Sequence, residues 1–263
     1  MIVKIPLSVS IITKNEGDRI LGAINAIKDI ADEIIVVDSG SDDETCQIAL
    51  KAGAKVIYNK WPGYGQQKIF AQNQCRNDWV LNIDADEVAS KELRKEIIEL
   101  FMNKKHNKFH AFRIKIVNKF RFEKEPKKFA YYYNQIRLYN KRHAGFKDST
   151  VHDSVILYED NNKKIGKLKN IIFHQSFRSF SHWIDKINSY SSMQAVDAVK
   201  KGKKPNFLKL FLSPIAAFFK AYIIRRYFIY GIDGIVYSKL YALSRFVKQI
   251  KIREEYKRFK ERP

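Results

Sequence analysis

Short β-branched segments alternate with segments of helical apolar spacing through residues 1–104, and this alternation constrains the fold more than any other feature. Strands that alternate with helices in this way predict a parallel sheet that is covered by helices on both faces. Ligands of such sheets bind at the carboxyl ends of the strands, where the connecting loops meet. The predicted strands are 7–12, 33–38, 55–58 and 79–84, and the predicted helices are 17–27, 41–52, one from about 66, and 90–103.

After residue 104 the pattern changes. Residues 109–117 and 135–139 favour strands, and a polar, basic stretch separates them. From residue 181 the apolar spacing becomes largely helical. We therefore expect an α/β domain with a basic helical extension, divided as 1–180 (halves 1–104 and 105–180) and 181–263.

Charge is distributed unevenly along the chain. Residues 1–100 hold 12 Lys+Arg against 16 Asp+Glu, a balance of −4, whereas residues 101–263 hold 37 against 12, a balance of +25. The basic part indicates an anionic partner, and charge alone leaves nucleic acid, a phosphorylated substrate and acidic lipid open. Cys46 and Cys75 form no disulfide or metal-binding pattern, and residues 1–6 lack signal-peptide features, so a reduced, cytoplasmic location is expected.

Carboxylates end two of the predicted strands. Asp38 closes the second strand, and Asp84 and Asp86 follow the fourth. Two carboxylates one residue apart can share Mg²⁺ or Mn²⁺, which completes its coordination with phosphate oxygens and water. Such an ion would neutralise charge on a departing diphosphate. The alternative is that Asp-x-Asp only starts a turn.

Three motifs occur in order, and together they resemble glycosyltransferase family 2. They are Val-Ser-Ile-Ile-Thr-Lys-Asn-Glu at 9–16, Glu-Ile-Ile-Val-Val-Asp-Ser-Gly-Ser-Asp-Asp-Glu-Thr at 33–45, and Trp-Val-Leu-Asn-Ile-Asp-Ala-Asp-Glu at 79–87. The segment Trp61–Lys68 is similar to the lipopolysaccharide-core β-1,4-glucosyltransferase branch of WaaE and LgtF type. The resemblance implies an inverting enzyme with the GT-A fold, whose donor is bound by residues 1–104 and whose acceptor is bound by residues 105–180.

The resemblance also implies a role for each matching residue. Thr13, Asn15 and Glu16 would line the nucleotide pocket, although helix capping is an alternative for the first two. The remaining expected contacts are Asp38 with uracil or ribose, Lys68 and Arg137 with the diphosphate, Asp84 with ribose and metal, and Asp86 as the stronger metal ligand. A solvated lysine and a surface arginine remain the alternatives for Lys68 and Arg137.

An inverting transfer needs a base that deprotonates the acceptor hydroxyl. The sequence Val151-His152-Asp153 resembles the Val-His-Glu of this branch, with Asp153 in place of Glu. His152 is the alternative base, since its unperturbed pKa is about 6.5. An ordinary polar cluster at a strand end is the third interpretation. His174 could complete the metal coordination or could be a buried structural histidine.

Residues 200–263 are both basic and rich in apolar side chains. They hold 17 Lys+Arg against 4 Asp+Glu. The apolar run falls short of the ~20 residues that span a bilayer. It is interrupted by Lys209, Pro214, Lys220, Arg225 and Arg226. The pattern favours helices lying in the interface of an anionic membrane. Helices packed on the catalytic domain with solvated basic faces are the alternative.

The sequence therefore predicts a metal-dependent hexosyltransferase that moves glucose from UDP-glucose to a lipopolysaccharide core sugar at the inner face of the cytoplasmic membrane. The same chemistry on a polyprenyl-linked or capsular glycan is an alternative. A basic nucleic-acid-binding protein is a third hypothesis, but no nucleic-acid-binding motif supports it, so no nucleic-acid partner is expected.

Overall fold

The computed structural model describes residues 4–120, 123, 125–148, 154–158, 164–175 and 177–261. The predicted α/β architecture, a mostly parallel sheet flanked by helices, is confirmed. The strands are β1 Ile5–Thr13, β2 Ala31–Asp38, β3 Lys55–Tyr58, β4 Trp79–Asn82, β5 Glu87–Ala89, β6 Ala111–Asn118, β7 Tyr132–Asn140, β8 Ala144–Phe146, β9 Val155–Leu157 and β10 Ile165–His174. The helices are α1 Ile20–Asn25, α2 Thr45–Lys51, α3 Tyr64–Asn73, α4 Lys91–Met102, α5 Phe180–Lys200, α6 Phe207–Phe219 and α7 Ile232–Lys260.

The chain forms two compact units. The first contains the described parts of residues 1–118 and 132–175, and the second those of 119–131 and 176–263. The second unit therefore includes the basic stretch between β6 and β7 as well as the C-terminal helices. The expected division into functional domains at residue 180 stays a prediction.

The first unit is built on one large sheet with the strand order β3-β2-β1-β4-β7-β6-β10-β5. The four strands from β3 to β4 run parallel, β7 is antiparallel to both of its neighbours, and β6 pairs with β10 in parallel. Leu7, Val9 and Ile11 of β1 are fully buried beneath Ile20 and Ile24 of α1. Burial of this central strand explains its nearly continuous β-branched and apolar sequence.

The link between β4 and β5 shows that the sheet is curled. Only residues 83–86 separate these strands in sequence, but β7, β6 and β10 separate them in the sheet. Neighbouring strands lie ~4.8 Å apart, so a flat sheet would hold β4 and β5 about 19 Å apart. A short turn bridges them because the sheet bends back on itself.

The second unit is a helical assembly around an aromatic core. α7 packs against both α5 and α6. Phe120 stacks on Tyr237 with a centroid distance of 4.0 Å, and Tyr227 and Tyr230 complete the buried cluster. Gly234 allows α7 to approach this cluster closely, since a Cβ there would lie 1.8 Å from the carbonyl oxygen of Tyr227.

One stretch of the second unit is long and apolar enough to cross a membrane by length and composition. It comprises Phe207–Ile224, 18 residues with a mean hydropathy of 1.7, of which 11% is buried. α6 supplies its first part, and a single π-helical turn at Lys220–Ile224 continues it. Lys209, Pro214 and Lys220 interrupt the stretch, as the sequence indicated.

Candidate active site

The carboxyl ends of β1, β2 and β4 meet at one edge of the sheet. Thr13 and Asp38 end their strands directly opposite each other in the parallel ladder. Asp84 and Asp86 follow β4 in a turn that Glu87 closes twice. The Glu87 amide donates to the carbonyl oxygen of Asp84 at 2.9 Å, and the Asp84 amide donates to Glu87 Oε2 at 2.9 Å. The strand predicted over 79–84 therefore ends at Asn82, and the acidic motif forms a rigid turn.

Two buried cations hold the Asp84 carboxylate. Lys68 Nζ lies 2.8 Å from Asp84 Oδ1, and Arg137 Nη2 lies 2.9 Å from Oδ2. The Lys68 and Arg137 side chains are only 1% and 6% exposed, so neither is the surface residue that the sequence left open. Burial raises the pKa of Asp84, but the charges of Arg137 and Lys68 outweigh it and hold this pKa far below its usual value.

Arg137 also binds the residues on either side of the acidic turn. Its Nη1 donates to Asn82 Oδ1 at 2.9 Å, and its Nη2 donates to Glu87 Oε1 at 2.5 Å. Burial raises the pKa of Glu87, and the Arg137 charge opposes that rise. Arg137 thus fixes the orientation of the turn from β7, the antiparallel neighbour of β4.

Asp86 lies beside His174 at the end of β10. Asp86 Oδ2 is 3.4 Å from His174 Nε2, and His174 Nδ1 lies 3.1 Å from Asn118 Oδ1, which orients the ring. Burial raises the pKa of Asp86, but the hydrogen bond and charge of His174 lower it below its usual value. Burial lowers the pKa of His174, and the contact with Asp86 outweighs this, so that pKa is raised. His174, an open alternative in the sequence, is thus placed beside the acidic turn.

Arg19 belongs to this site, and sequence reasoning missed it. Its Nε donates to Glu16 Oε2 at 2.7 Å, and its Nη1 donates to the Gln175 carbonyl at 2.7 Å and lies 3.5 Å from Asp86 Oδ2. The side chain is buried. The spacing of Glu16 and Arg19 along the chain is a signal for their ion pair. The contact with Asp86 joins residues far apart in sequence, and no local pattern indicates it.

Hydrogen bonds connect the loops that follow β1 and β2. The Asn15 amide donates to Ser41 Oγ at 2.9 Å, and Asn15 Oδ1 accepts from the Asp42 amide at 3.0 Å. The Glu16 amide donates to Thr45 Oγ1 at 2.8 Å. Asn15 adopts a φ of 56°, a left-handed conformation that asparagine tolerates better than most residues. Asn15 therefore joins the two loops through both its backbone and its side chain, and Glu16 joins them through its backbone.

Asp38 and Thr13 differ in how their polar groups are satisfied. Asp38 Oδ2 accepts hydrogen bonds from the amides of Gly40 and Ser41, both at 2.8 Å, so the carboxylate organises its own loop. Thr13 Oγ1 is buried, and within the described part of the chain it has no hydrogen-bond partner. A buried hydroxyl of this kind usually has a ligand or water partner.

Gln67 is a second residue that sequence reasoning missed. It is fully buried, and its Nε2 donates to Ser39 Oγ at 2.9 Å while its Oε1 accepts from Asn59 Nδ2 at 2.7 Å. These bonds fix the start of α3 against the loop after β2. They hold the neighbouring residue, Lys68, in position to reach Asp84.

Not every expected site residue falls within the described structure. Asp153 and His152, the two candidate bases, lie outside it. The other expected residues, Thr13, Asn15, Glu16, Asp38, Lys68, Asp84, Asp86 and Arg137, all lie in the first unit. Within the described ranges no three His, Cys, Asp or Glu side chains gather into a metal-binding group. Any ion bound here would need ligands from a substrate or water in addition to Asp86 and His174.

The geometry combines three chemical capacities at one edge of the sheet. Two buried cations flank Asp84, Asp86 and His174 present two ligand atoms close enough to contact one cation, and the β1 and β2 loops offer fixed polar groups. Such an arrangement suits an anionic substrate whose charge grows during reaction.

Comparison with known proteins finds a matching family model, relatives of similar length and a solved structure. The model of the family described as Glycosyl transferase family 2 matches residues 8–166. An uncharacterized glycosyltransferase of Rickettsia bellii is 46% identical over 253 residues, which cover 94% of this chain and 86% of the relative. The lipopolysaccharide core biosynthesis glycosyltransferase LpsC of Rhizobium meliloti is 32% identical, with 97% of this chain and 95% of the relative covered. The crystal structure of TarS residues 1–349 of S. aureus aligns with 96% of this chain and 91% of that chain, at 15% identity and a TM-score of 0.45.

Proposed function

From the premise that this chain belongs to glycosyltransferase family 2, we propose that it transfers glucose from UDP-glucose to a sugar of a lipopolysaccharide core, with inversion at the anomeric carbon. The chain is a glycosyltransferase, and its curled sheet with flanking helices is the GT-A fold. The name of the Rhizobium relative supports the core acceptor, and the Trp61–Lys68 segment supports the β-1,4-glucosyltransferase branch. The observation that carries the proposal is the cluster in which Asp84 pairs with Lys68 and Arg137 and Asp86 lies beside His174.

The nucleotide of the donor would bind between the loops that follow β1 and β2. Thr13, Asn15 and Glu16 lie in the first loop, and Asp38 lies at the start of the second. The buried, unsatisfied hydroxyl of Thr13 supports a ligand contact there. Asp38 Oδ2 accepts from the amides of Gly40 and Ser41, and Asp38 Oδ1 accepts from the Ser41 hydroxyl, so the carboxylate is held in a fixed position at the start of this loop.

Asp86 and His174 would hold a divalent cation, Mg²⁺ or Mn²⁺. Their ligand atoms lie 3.4 Å apart, a separation that also suits two ligands of one ion. When bound, the ion neutralises negative charge on the diphosphate as it leaves. Asp84 was predicted as a second ligand, and both of its oxygens are paired with cations here. We therefore assign Asp84 to the ribose and to the orientation of Lys68 and Arg137.

Lys68 and Arg137 would stabilise the departing diphosphate electrostatically. Both cations are buried, so their field is screened less than that of surface residues. Asp84 keeps them in place before the donor arrives, and a fixed charge loses no energy to reorganisation during the reaction.

The base would be Asp153, with His152 as the alternative. It would accept the proton of the acceptor hydroxyl while the hydroxyl oxygen attacks the anomeric carbon and the bond to UDP breaks. Asp153→Asn should abolish transfer and leave UDP-glucose affinity unchanged. If Asp153→Asn retains transfer and His152→Ala abolishes it, the base is His152. The reaction would take place at the inner face of the cytoplasmic membrane, where a lipid-linked acceptor is available.

The decisive experiment measures UDP release from a panel of UDP-sugars with Mn²⁺ or Mg²⁺, followed by transfer to defined core oligosaccharides. We expect UDP-glucose to be the best donor and EDTA to abolish release. Asp86→Ala should reduce the rate by at least about a hundredfold, and Asp29→Ala, an exposed aspartate of the same unit, should not. Release that survives both EDTA and Asp86→Ala would remove the metal mechanism. Transfer only to a polyprenyl-linked or capsular glycan would change the acceptor.

A further inference from the structure

α6 exposes large apolar side chains to solvent, whereas a helix that covers a protein core buries them. Ala217 is buried, and Ala221 of the following turn packs into the aromatic core beside Tyr237 of α7. Leu210 and Phe218 are half-buried, whereas six other large residues of α6 are each more than half exposed. These residues, which we call the outer face, are Phe207, Leu208, Phe211, Leu212, Ile215 and Phe219.

The outer face is continuous along the helix. Four of its members recur every four residues, from Phe207 to Phe219, and Leu208 and Leu212 lie beside them, so the six side chains form one stripe on the helix surface. Ile223 and Ile224 extend the stripe into the π-helical turn, and they are 54% and 67% exposed. A contiguous apolar surface of this length is typical of an interaction site rather than of a solvated helix.

The sequence on either side of the outer face is basic and contains no acidic residue. Between residues 198 and 232 the sequence contains no Asp or Glu. The basic residues of this range stand before, within and after the apolar stripe: Lys200, Lys201, Lys203, Lys204, Lys209, Lys220, Arg225 and Arg226. A surface that binds the outer face must therefore be apolar in its interior and anionic at its boundary.

We propose that the outer face docks on a lipid bilayer that contains anionic headgroups, with α6 lying in the plane of the interface. The apolar stripe would reach the acyl boundary, and the flanking lysines and arginines would bind lipid phosphates. Lys209, which falls between members of the stripe in sequence, would reach the headgroups because its long aliphatic stem extends to the polar layer.

Two other occupants fit the observations less well. A second copy of the chain would bring the basic residues of each copy against those of the other, and like charges oppose such a contact. A bilayer-spanning α6 would carry α7 with it, because α6 packs against α7. α7 contains Lys239, Arg245 and Lys248, and charged side chains at the centre of a bilayer are costly.

This surface lies in the second unit and goes beyond the proposed transfer reaction. Lipid binding and sugar transfer can therefore fail separately. The Asp86→Ala variant, inactive by our proposal, should still bind vesicles with the affinity of the unmodified chain.

Sedimentation of the full chain with phosphatidylcholine vesicles, with and without phosphatidylglycerol, tests the proposal. We expect binding only to the anionic vesicles, binding that weakens as salt rises, and release from the pellet by alkaline carbonate. Phe211→Glu with Ile215→Glu should weaken binding by at least about tenfold. The matched control is Leu50→Glu with Met102→Glu, which makes the same charge change at exposed apolar residues of the first unit and should have no effect.

A second set of variants keeps the test valid if the glutamate pair disturbs folding. Lys203→Gln, Lys204→Gln and Lys209→Gln together should weaken binding by about fivefold per lysine, and the same changes at Lys28, Lys51 and Lys55 should weaken it much less. Equal binding to neutral vesicles, equal loss in both lysine sets, or resistance to carbonate would overturn the interfacial proposal. A stable dimer that the Phe211 and Ile215 changes dissociate would overturn it as well.

Discussion

The two units of this chain place polar and apolar side chains in opposite ways. The first unit buries charged residues, among them Lys68, Arg137 and Glu87, and satisfies them with one another. The second unit exposes large apolar side chains along α6 and buries alanines beneath them. Charged side chains are usually exposed and large apolar side chains are usually buried. In each unit we propose that a ligand binds where this rule is broken. The charged interior suits a small anionic donor, and the apolar exterior suits an extended surface.

The largest change, a loss in the free energy of unfolding, is expected when a buried charge of the first unit is removed. Arg137→Met leaves the carboxylates of Asp84 and Glu87 without their shared cation, and the loss of one partner from a buried network costs about 3–5 kcal/mol. Urea unfolding followed by circular dichroism measures this loss. The control is Arg142→Met, which breaks an exposed pair with Asp78 and should cost less than about 1 kcal/mol. Equal losses would show that burial of the network is not what stabilises it.

An intermediate effect, on the Mn²⁺ requirement of the reaction, is expected when Arg19 is replaced. We propose that Arg19 positions Asp86 and makes no contact with substrate. Arg19→Ala should raise the Mn²⁺ concentration needed for half-maximal UDP release by about 10–100-fold, as loss of a residue that orients a metal ligand does. Arg19→Lys should recover part of the affinity. Arg94→Ala, which removes a half-buried arginine that pairs with Asp29, serves as the control. An unchanged Mn²⁺ requirement in Arg19→Ala would contradict the positioning role and leave its bonds to Glu16 and Gln175 as purely structural.

The smallest change in the free energy of unfolding is expected for a substitution on the outer face, measured without lipid. Leu212→Ala should change the free energy of unfolding by no more than about 0.5 kcal/mol, because this side chain is exposed before and after unfolding. The same change at Leu93, which is fully buried in α4, should cost about 2–5 kcal/mol. Comparable losses measured by chemical denaturation would mean that another part of the protein covers α6 in solution.

Much of the first unit could be predicted from sequence because local periodicity determines it. The positions of β1 to β4 and the start of α4 at Ser90 follow from local signals, whereas the short strand β5 was not predicted. Ser90 Oγ accepts from the Leu93 amide at 3.1 Å and caps the helix. The helix predicted over 41–52 starts later than expected. The Ser41 hydroxyl accepts from the Asn15 amide and donates to Asp38 Oδ1, and α2 begins at Thr45, whose amide donates to Asp43 Oδ1. A tertiary contact here outweighs a local preference.

The network that organises the candidate site could not be predicted in the same way. The family resemblance implied separate roles for Lys68, Asp84 and Arg137, but their mutual contacts depend on how α3, β4 and β7 come together. The contact of His174 with Asp86 depends on β10, a strand that the sequence reasoning did not identify. Long-range pairing of this kind leaves no periodic signal along the chain.

The turn at residues 83–86 limits how this enzyme can diversify. β4 is held in register by β1 and β7, and β5 is held in register by β10. An insertion or deletion in the turn would displace one of these ladders, whereas a loop at the rim of the molecule could change length without such damage. Engineering of donor or acceptor choice should therefore alter residues around the turn and leave its length untouched.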